Sequence, residues 1–133
     1  MESEIRVPIN SDTDIVLARQ KGREFAAEIG FNGGTLTLIA TAISEIARNI
    51  IEYAKSGEII IHPVHKNGKR GIEIIAHDEG PGIADIPLAL QDGFSTRRSL
   101  GLGLPGTRRL MDDFDIISNS GDGTTVTIKK WLA

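Results

Sequence analysis

With 133 residues, 40% of them hydrophobic, the chain is long enough for one domain with a buried core and too apolar for a disordered one. Its formal charge of −3 is too small to imply a nucleic-acid or membrane partner, and the absence of cysteine excludes disulfides, a thiolate nucleophile and a cysteine-ligated metal. The start, Met1-Glu2-Ser3-Glu4, is acidic with no apolar signal-peptide core, and no apolar run reaches the roughly 18 residues of a membrane span, so a soluble, cytoplasmic protein is expected, residues 1–133 forming a single domain without repeats.

Residues 4–8 alternate polar and apolar, with Ile5, Val7 and Ile9 on one side, which predicts a short strand; Pro8 lacks an N–H and places it at a sheet edge. Asn10, Ser11 and Asp12 offer N-cap oxygens to a helix over about 13–28, with Ile15, Ala18, Phe25, Ala26 and Ile29 as its apolar stripe and Gly30 as its stop. After the turn Asn32-Gly33-Gly34 a second helix is predicted over about 35–54. Ile39, Ala42, Ile43, Ile46, Ile50 and Ala54 make its core face, and Thr41, Glu45, Arg48, Asn49 and Glu52 lie on the opposite arc. Strands near 58–63 and 71–78 follow, joined by a hairpin loop at Lys66-Asn67-Gly68-Lys69. Asp85-Ile86-Pro87 opens one helical turn through about Leu90, and the polar, basic stretch 92–100 predicts a mobile loop. The glycine string 101–106 leads into a helix over 107–111, and two closing strands are expected at 114–119 and 124–131 around Gly121-Asp122-Gly123. This segregated order predicts an α+β two-layer sandwich with helices on one face of a mainly antiparallel sheet.

Three stretches can carry chemistry. Asp78-Glu79-Gly80-Pro81-Gly82-Ile83 sets a carboxylate at a strand end before a turn whose glycines let backbone approach a ligand; standing alone it reads first as a sharp turn, and only partners from other stretches change that. Gly101-Leu102-Gly103-Leu104-Pro105-Gly106 matches G-x-G-x-x-G, but a polar loop precedes it where a dinucleotide fold needs a strand, and no P-loop motif occurs. Amides at a helix N-terminus still suit phosphate, and a plain glycine-rich helix entry is the alternative. Glu45 and Asn49, four apart, project together from the second helix: either part of a solvated face, or an oxygen pair suited to Mg²⁺ and an attacking hydroxyl. Arg48 suits a phosphate or an ion pair with Glu52. His62, His65 and His77 make no metal-ligand pattern and read as structural or exposed; Ser95, Thr96 and Ser99 beside Arg97 and Arg98 suit a soluble lid; Trp131 reads as packing.

Together these stretches resemble the GHKL superfamily of ATP-binding proteins, which includes gyrase, Hsp90, MutL and the histidine-kinase catalytic domain. The helix with Glu45 and Asn49 looks like its N box, Asp78 to Gly82 its G1 box, Gly101 to Gly106 its G2 box, and Gly123-Thr124 its last box. In detail the chain is similar to the RsbT-type serine/threonine switch kinases of the bacterial stressosome, through T-A-I-S-E-I-A-R-N-I, D-E-G-P-G-I, D-G-F-S-T, G-L-G-L-P-G and the ending I-K-K-W-L-A. The resemblance implies a Bergerat-type fold in which Asp78 accepts from the adenine amino group, Gly80, Gly82 and Ile83 pass the base, and Thr124 supports the same network. It implies Asn49 as the Mg²⁺ ligand and Glu45 as general base or orienting group. The amides around Gly101, Leu102, Gly103, Leu104 and Gly106 would cradle the ATP phosphates. Arg97-Arg98 depart from an inherited lid pattern.

The activity so implied is an ATP-dependent protein serine/threonine kinase. Its substrates would be STAS-domain scaffold proteins (RsbS- and RsbR-like), and afterwards it would engage a downstream regulator of the stress response, such as a PP2C-type phosphatase. The rival is a nucleotide-gated anti-sigma-factor module on the same scaffold, for which an exposed apolar or charged patch on the first helix is expected. A degenerate nucleotide binder is a third possibility, against which the intact Glu45 and Asn49 weigh.

Overall fold

A computed structural model describes residues 4–80, 103–119 and 123–132. The expected helical turn at 85–90, the loop at 92–100, and the site residues Gly82, Ile83, Gly101 and Leu102 lie outside the described residues. In chain order the elements are β1 (Ile5–Ile9), α1 (Asp12–Ile29), α2 (Gly33–Tyr53), β2 (Gly57–Lys66), β3 (Lys69–Asp78), α3 (Gly103–Leu110), β4 (Asp113–Asn119) and β5 (Gly123–Trp131).

The strands make one five-stranded sheet in the order β1-β2-β3-β5-β4, every pairing antiparallel. Because side chains alternate across a strand, one face carries Val7, Ile9, Ile59, Ile61, Ile72, Ile74, Ala76, Val126 and Ile128, all buried. These join the buried faces of the helices in one core, so the molecule is a two-layer α+β sandwich as the element order predicts. β1 is an edge strand, as Pro8 requires. Pro63 lies inside β2, past the last β1 pairing at Ile5↔Ile61, on a stretch paired only with β3; a missing N–H is tolerated there.

The hairpin differs from the sequence expectation. Both strands run up to a two-residue turn, with Asn67 at φ 53° and Gly68 at φ 80°, rather than ending before a four-residue loop. Asn-Gly supplies the two positive φ angles of the turn that matches strand twist, so pairing continues through Lys66↔Lys69. The start of α1 also differs. Ser11 holds the N-cap position, but its side chain does not cap; Asp14 instead accepts from the Asn10 N–H at 2.8 Å. At the other end, Gly30 N–H reaches Ala27 O and Phe31 N–H reaches Ala26 O, the paired bonds of a Schellman stop. The predicted stripe of α1 is buried throughout, together with Gly22. Gly22 abuts the Ile43 side chain so closely that a Cβ there would collide with Ile43 Cδ1.

Candidate functional site

α2 has two buried sides. Ile39, Ala42, Ile43, Ile46 and Ile50 face the core as expected, whereas Ala54 is half-buried at the helix end. The polar arc is not a solvated face: Glu45 is only 7% exposed, and Thr41, Arg48, Asn49 and Glu52 are half-buried. Neighbouring Ser44 returns its hydroxyl to Ala40 O at 3.1 Å, which satisfies it inside the helix. Arg48 Nη1 donates to Glu45 Oε2 at 3.0 Å, an i,i+3 pair in which the carboxylate is the more buried partner. The sequence paired Arg48 with Glu52 or a phosphate; the contact with Glu45 restrains the side chain expected to do chemistry.

α3 packs against α2 and opens inside the glycine string. It begins at Gly103, four residues before the predicted start, because Pro105 is tolerated in a first helical turn, where its missing N–H has no intrahelical partner to lose. Gly103, Leu104 and Gly106 therefore belong to that first turn. Leu104, Gly106 and Thr107 are buried.

Asp78 ends β3 on the core face of the sheet and is 5% exposed. Its Oδ1 accepts from Gly80 N–H at 2.9 Å and from Thr124 N–H at 3.3 Å. Its Oδ2 accepts no hydrogen bond from the described residues. A buried carboxylate oxygen without a donor carries a desolvation cost, and a ligand N–H would offset it. The turn after Asp78 is pressed onto the end of α2: a Cβ on Gly80 would lie 2.5 Å from Ala54 Cβ and 2.8 Å from Ala54 Cα, so only glycine fits. β5 enters the site at Gly123, whose φ of 94° and contact with Asp78 O likewise admit no side chain.

Thr124 stands directly opposite Asp78 in the β3–β5 ladder and is 5% exposed. Its Oγ1 lies 2.9 Å from Ser118 Oγ on β4, and Ser118 Oγ donates to Gly123 O at 3.2 Å. Ser118 was missed by sequence reasoning. Its only signal is register, since the antiparallel pairing of β4 with β5 sets Ser118 opposite Thr124.

The histidines point elsewhere. His62 Nε2 meets Glu73 at 2.6 Å and His77 Nδ1 meets Thr125 Oγ1 at 2.9 Å, both on the sheet face away from the helices; His65 is exposed. Trp131 donates from Nε1 to Asp113 at 2.8 Å and packs over Gly71. A cavity of about 320 Å³ borders Asp78 through Ser56, Gly57 and Glu79, while one of about 610 Å³ lies at the other end of β3, between Phe31, Trp131 and Leu132.

The structure thus brings Asp78, Gly80 and Thr124 together at one strand end, and joins them through the Gly80–Ala54 contact to the helix bearing Glu45 and Asn49. Such a site can offer acceptors to an amine and oxygen donors to a hard cation.

Comparison with known proteins agrees with this architecture. Residues 10–130 match the family described as the histidine kinase-like ATPase domain. The chain is 51% identical to the serine/threonine-protein kinase RsbT of Bacillus subtilis (strain 168), over 99% of both chains. It is 35% identical to an anti-sigma F factor of Caldanaerobacter subterraneus subsp. tengcongensis, over 86% of this chain and 83% of that one. Among solved structures, the mycobacterial sensor histidine kinase MprB superposes with a TM-score of 0.57 at 16% identity, covering 96% of this chain and 97% of that one; at that identity it speaks for the fold alone.

Proposed function

The chain belongs to the histidine kinase-like ATPase domain family, and we propose that it is an ATP-dependent protein serine/threonine kinase acting on STAS-domain partners, with residues 1–133 forming one ATP-binding kinase domain. The observation that carries the nucleotide reading is the Oδ2 of buried Asp78, beside Thr124, which accepts no hydrogen bond among the described residues. An adenine amino group is a donor and satisfies it; the O6 of guanine is an acceptor and does not. Kinase activity is supported by the 51% identity, over nearly the whole of both chains, to a protein named as a serine/threonine kinase.

In this reading Asp78, Gly80, Gly82, Ile83 and Thr124 seat the base, and amides around Gly101, Leu102, Gly103, Leu104 and Gly106 hold phosphates at the start of α3. Asn49 supplies a side-chain oxygen suited to Mg²⁺, which when bound neutralises phosphate charge. Glu45 orients the incoming Ser or Thr hydroxyl and accepts its proton as oxygen bonds to the γ-phosphorus and the bond to the β–γ bridging oxygen breaks, releasing ADP. Arg48 keeps the Glu45 side chain in one place. After transfer the protein leaves its STAS partner for a downstream regulator such as a PP2C-type phosphatase.

The test is transfer of label from γ-labelled ATP with Mg²⁺ to an RsbS- or RsbR-like STAS protein from the same organism. An acid-stable phospho-Ser or phospho-Thr is expected, and Glu45→Ala is expected to retain ATP binding while losing transfer. An acid-labile product, or none, rejects the kinase. A second reading, a nucleotide-gated anti-sigma module, is favoured by the anti-sigma F relatives and by Val16 and Leu17, which stand 43% and 40% exposed on α1. It predicts a stable complex with a sigma subunit in the presence of nucleotide.

A further inference from the structure

The end of the sheet remote from Asp78 concentrates positive charge. Both strands of the β2–β3 hairpin run out to the Asn67-Gly68 turn, which sets Lys66 directly opposite Lys69 and His65 opposite Arg70, all four exposed. Like charges that face each other across a strand pair destabilise it, so Lys66 and Lys69 are a cost to the hairpin. The acids nearby are already engaged: Glu73 by His62 and Lys129, Asp112 by Lys130 and the Trp131 N–H, and Asp113 by the Trp131 indole. Lys66, Lys69 and Arg70 make no ion pair with the described residues. A chain of net charge −3 thus carries a cationic tip. Beside that tip lies the cavity of about 610 Å³, which Lys69 lines together with Thr35, Phe31, Trp131 and Leu132. Its apolar wall is fastened to the hairpin: Leu132 N–H donates to Arg70 O at 2.9 Å, and a Cβ on Gly71 would lie 2.8 Å from the Trp131 ring. Lys69 stands nine residues before Asp78 on β3, roughly 30 Å away at the rise of a strand, so an occupant here leaves the proposed nucleotide seat untouched.

We propose that this end of the molecule is a docking surface for an acidic segment of a protein partner, whose carboxylates meet Lys66, Lys69 and Arg70 while one apolar side chain enters the cavity against Phe31, Trp131 and Leu132. Charge complementarity selects the acidic partner, since carboxylates placed between Lys66 and Lys69 turn a repulsion within the hairpin into two attractions. The apolar wall selects a peptide over a ligand that has charge alone, because an anion without an apolar group leaves the cavity unfilled. Lysines also serve to keep an open strand edge from pairing with another chain, but a charge of either sign does that. Reversing the sign therefore separates docking from edge protection.

The test is titration of the ¹⁵N-labelled protein, read by its amide and indole shifts, with three short peptides blocked at both ends: Asp-Glu-Leu-Glu-Asp, the same peptide with Ser in place of Leu, and Lys-Arg-Leu-Arg-Lys. The acidic Leu peptide is expected to give saturable shifts centred on residues 31–35, 66–70 and 131–132, the Trp131 indole N–H among them. The Ser peptide is expected to bind roughly 10-fold more weakly, the worth of one partly buried Leu, and the basic peptide not to bind. Lys69→Glu/Arg70→Glu is expected to weaken the acidic Leu peptide about 10-fold or more, and raising salt from about 50 to about 500 mM to weaken it several-fold on the wild-type protein. Should the double variant fail to fold by thermal melting, the peptide and salt comparisons on the wild-type protein decide. Shifts that do not saturate or that centre on Asp78 and Asn49, equal affinity for the Leu and Ser peptides, or undiminished binding by a folded double variant overturn the proposal. A short DNA duplex that binds the tip more tightly than the peptide overturns it in favour of nucleic acid, and shifts at the tip that change when the protein alone is diluted overturn it in favour of a second copy of the chain.

Discussion

Asp78 shows how a single side chain can be expensive for the fold and useful to the site. Sealing a carboxylate from water while one oxygen lacks a donor among the described residues costs on the order of 1–3 kcal/mol, more if charged, and two backbone amides on Oδ1 offset only part of it. Asp78→Asn keeps the shape and the Oδ1 contacts but puts an amide donor where Oδ2 was. The expected result is a loss of about 10- to 100-fold in ATP affinity, measured by calorimetry, with the melting temperature of the free protein unchanged or raised. Unchanged affinity would remove Asp78 from the base seat. At this scale the sequence was legible where a residue sits inside a contiguous motif, as Asp78 and Gly80 do. It was silent where the partner comes from another strand: Ser118 is one serine in an alternating strand until pairing sets it opposite Thr124. The Arg48–Glu45 contact lay between these cases, since helical spacing allows Arg48 to reach either Glu45 or Glu52 and only rotamers decide.

Among the elements, α2 is the one with two duties. Its isoleucines fill the core, each buried side chain contributing about 1.5–3 kcal/mol, while the opposite arc carries Glu45 and Asn49. The helix periods were legible to within a residue or two because the apolar stripes of α1 and α2 are long and regular. The less regular boundaries were not. The first turn of α3 hid behind glycine and proline, and the β2–β3 strands outran their predicted ends because the turn between them takes only Asn67 and Gly68 where a four-residue loop was expected. Gly22 was also overlooked, since a glycine inside a helix reads as a weakness rather than as a contact. It is where α1 and α2 approach through Ile43. Gly22→Val is expected to destabilise the fold by about 1–3 kcal/mol in chemical denaturation, even though it replaces a poor helix former. In an Ile43→Val background, which removes the opposing Cδ1, the same change is expected to cost measurably less. Equal costs in the two backgrounds would show that the helices do not meet there.

For the whole molecule, the strand order matters most. Inserting β5 between β3 and β4 brings Thr124 beside Asp78, which no reading of consecutive elements provides. Fold class was legible from the segregation of helices and strands, whereas this order depends on long-range pairing. Among the described residues no helix is long and apolar enough to cross a membrane. Because the proposed seat draws on β3, β5, α2 and α3 together, its ligand should stabilise the molecule as a unit. ATP with Mg²⁺ at about 100 times its dissociation constant is expected to add about 2.7 kcal/mol, or roughly 10 °C in melting temperature for a chain of this size. Asp78→Asn at the same nucleotide concentration is expected to lose most of that shift, and a wild-type protein whose melting temperature ignores ATP would contradict the seat.

The seating of Gly80 on Ala54 has one further consequence. The turn proposed to receive the base is fastened to the helix that carries Asn49 and Glu45, five and nine residues before Ala54. At about 1.5 Å of rise per residue, these lie roughly 7 and 13 Å back along one rigid rod. With adenine at Asp78 and the phosphates running towards Asn49, α2 is a ruler whose zero is the base and whose far mark is Glu45. Which nucleotide reaches that mark is then a matter of its length, read by a stretch of backbone rather than by any side chain. Inserting one residue between Glu45 and Ala54 would displace the mark and turn it about 100° around the helix axis, while Asp78 and Thr124 kept their places in the sheet.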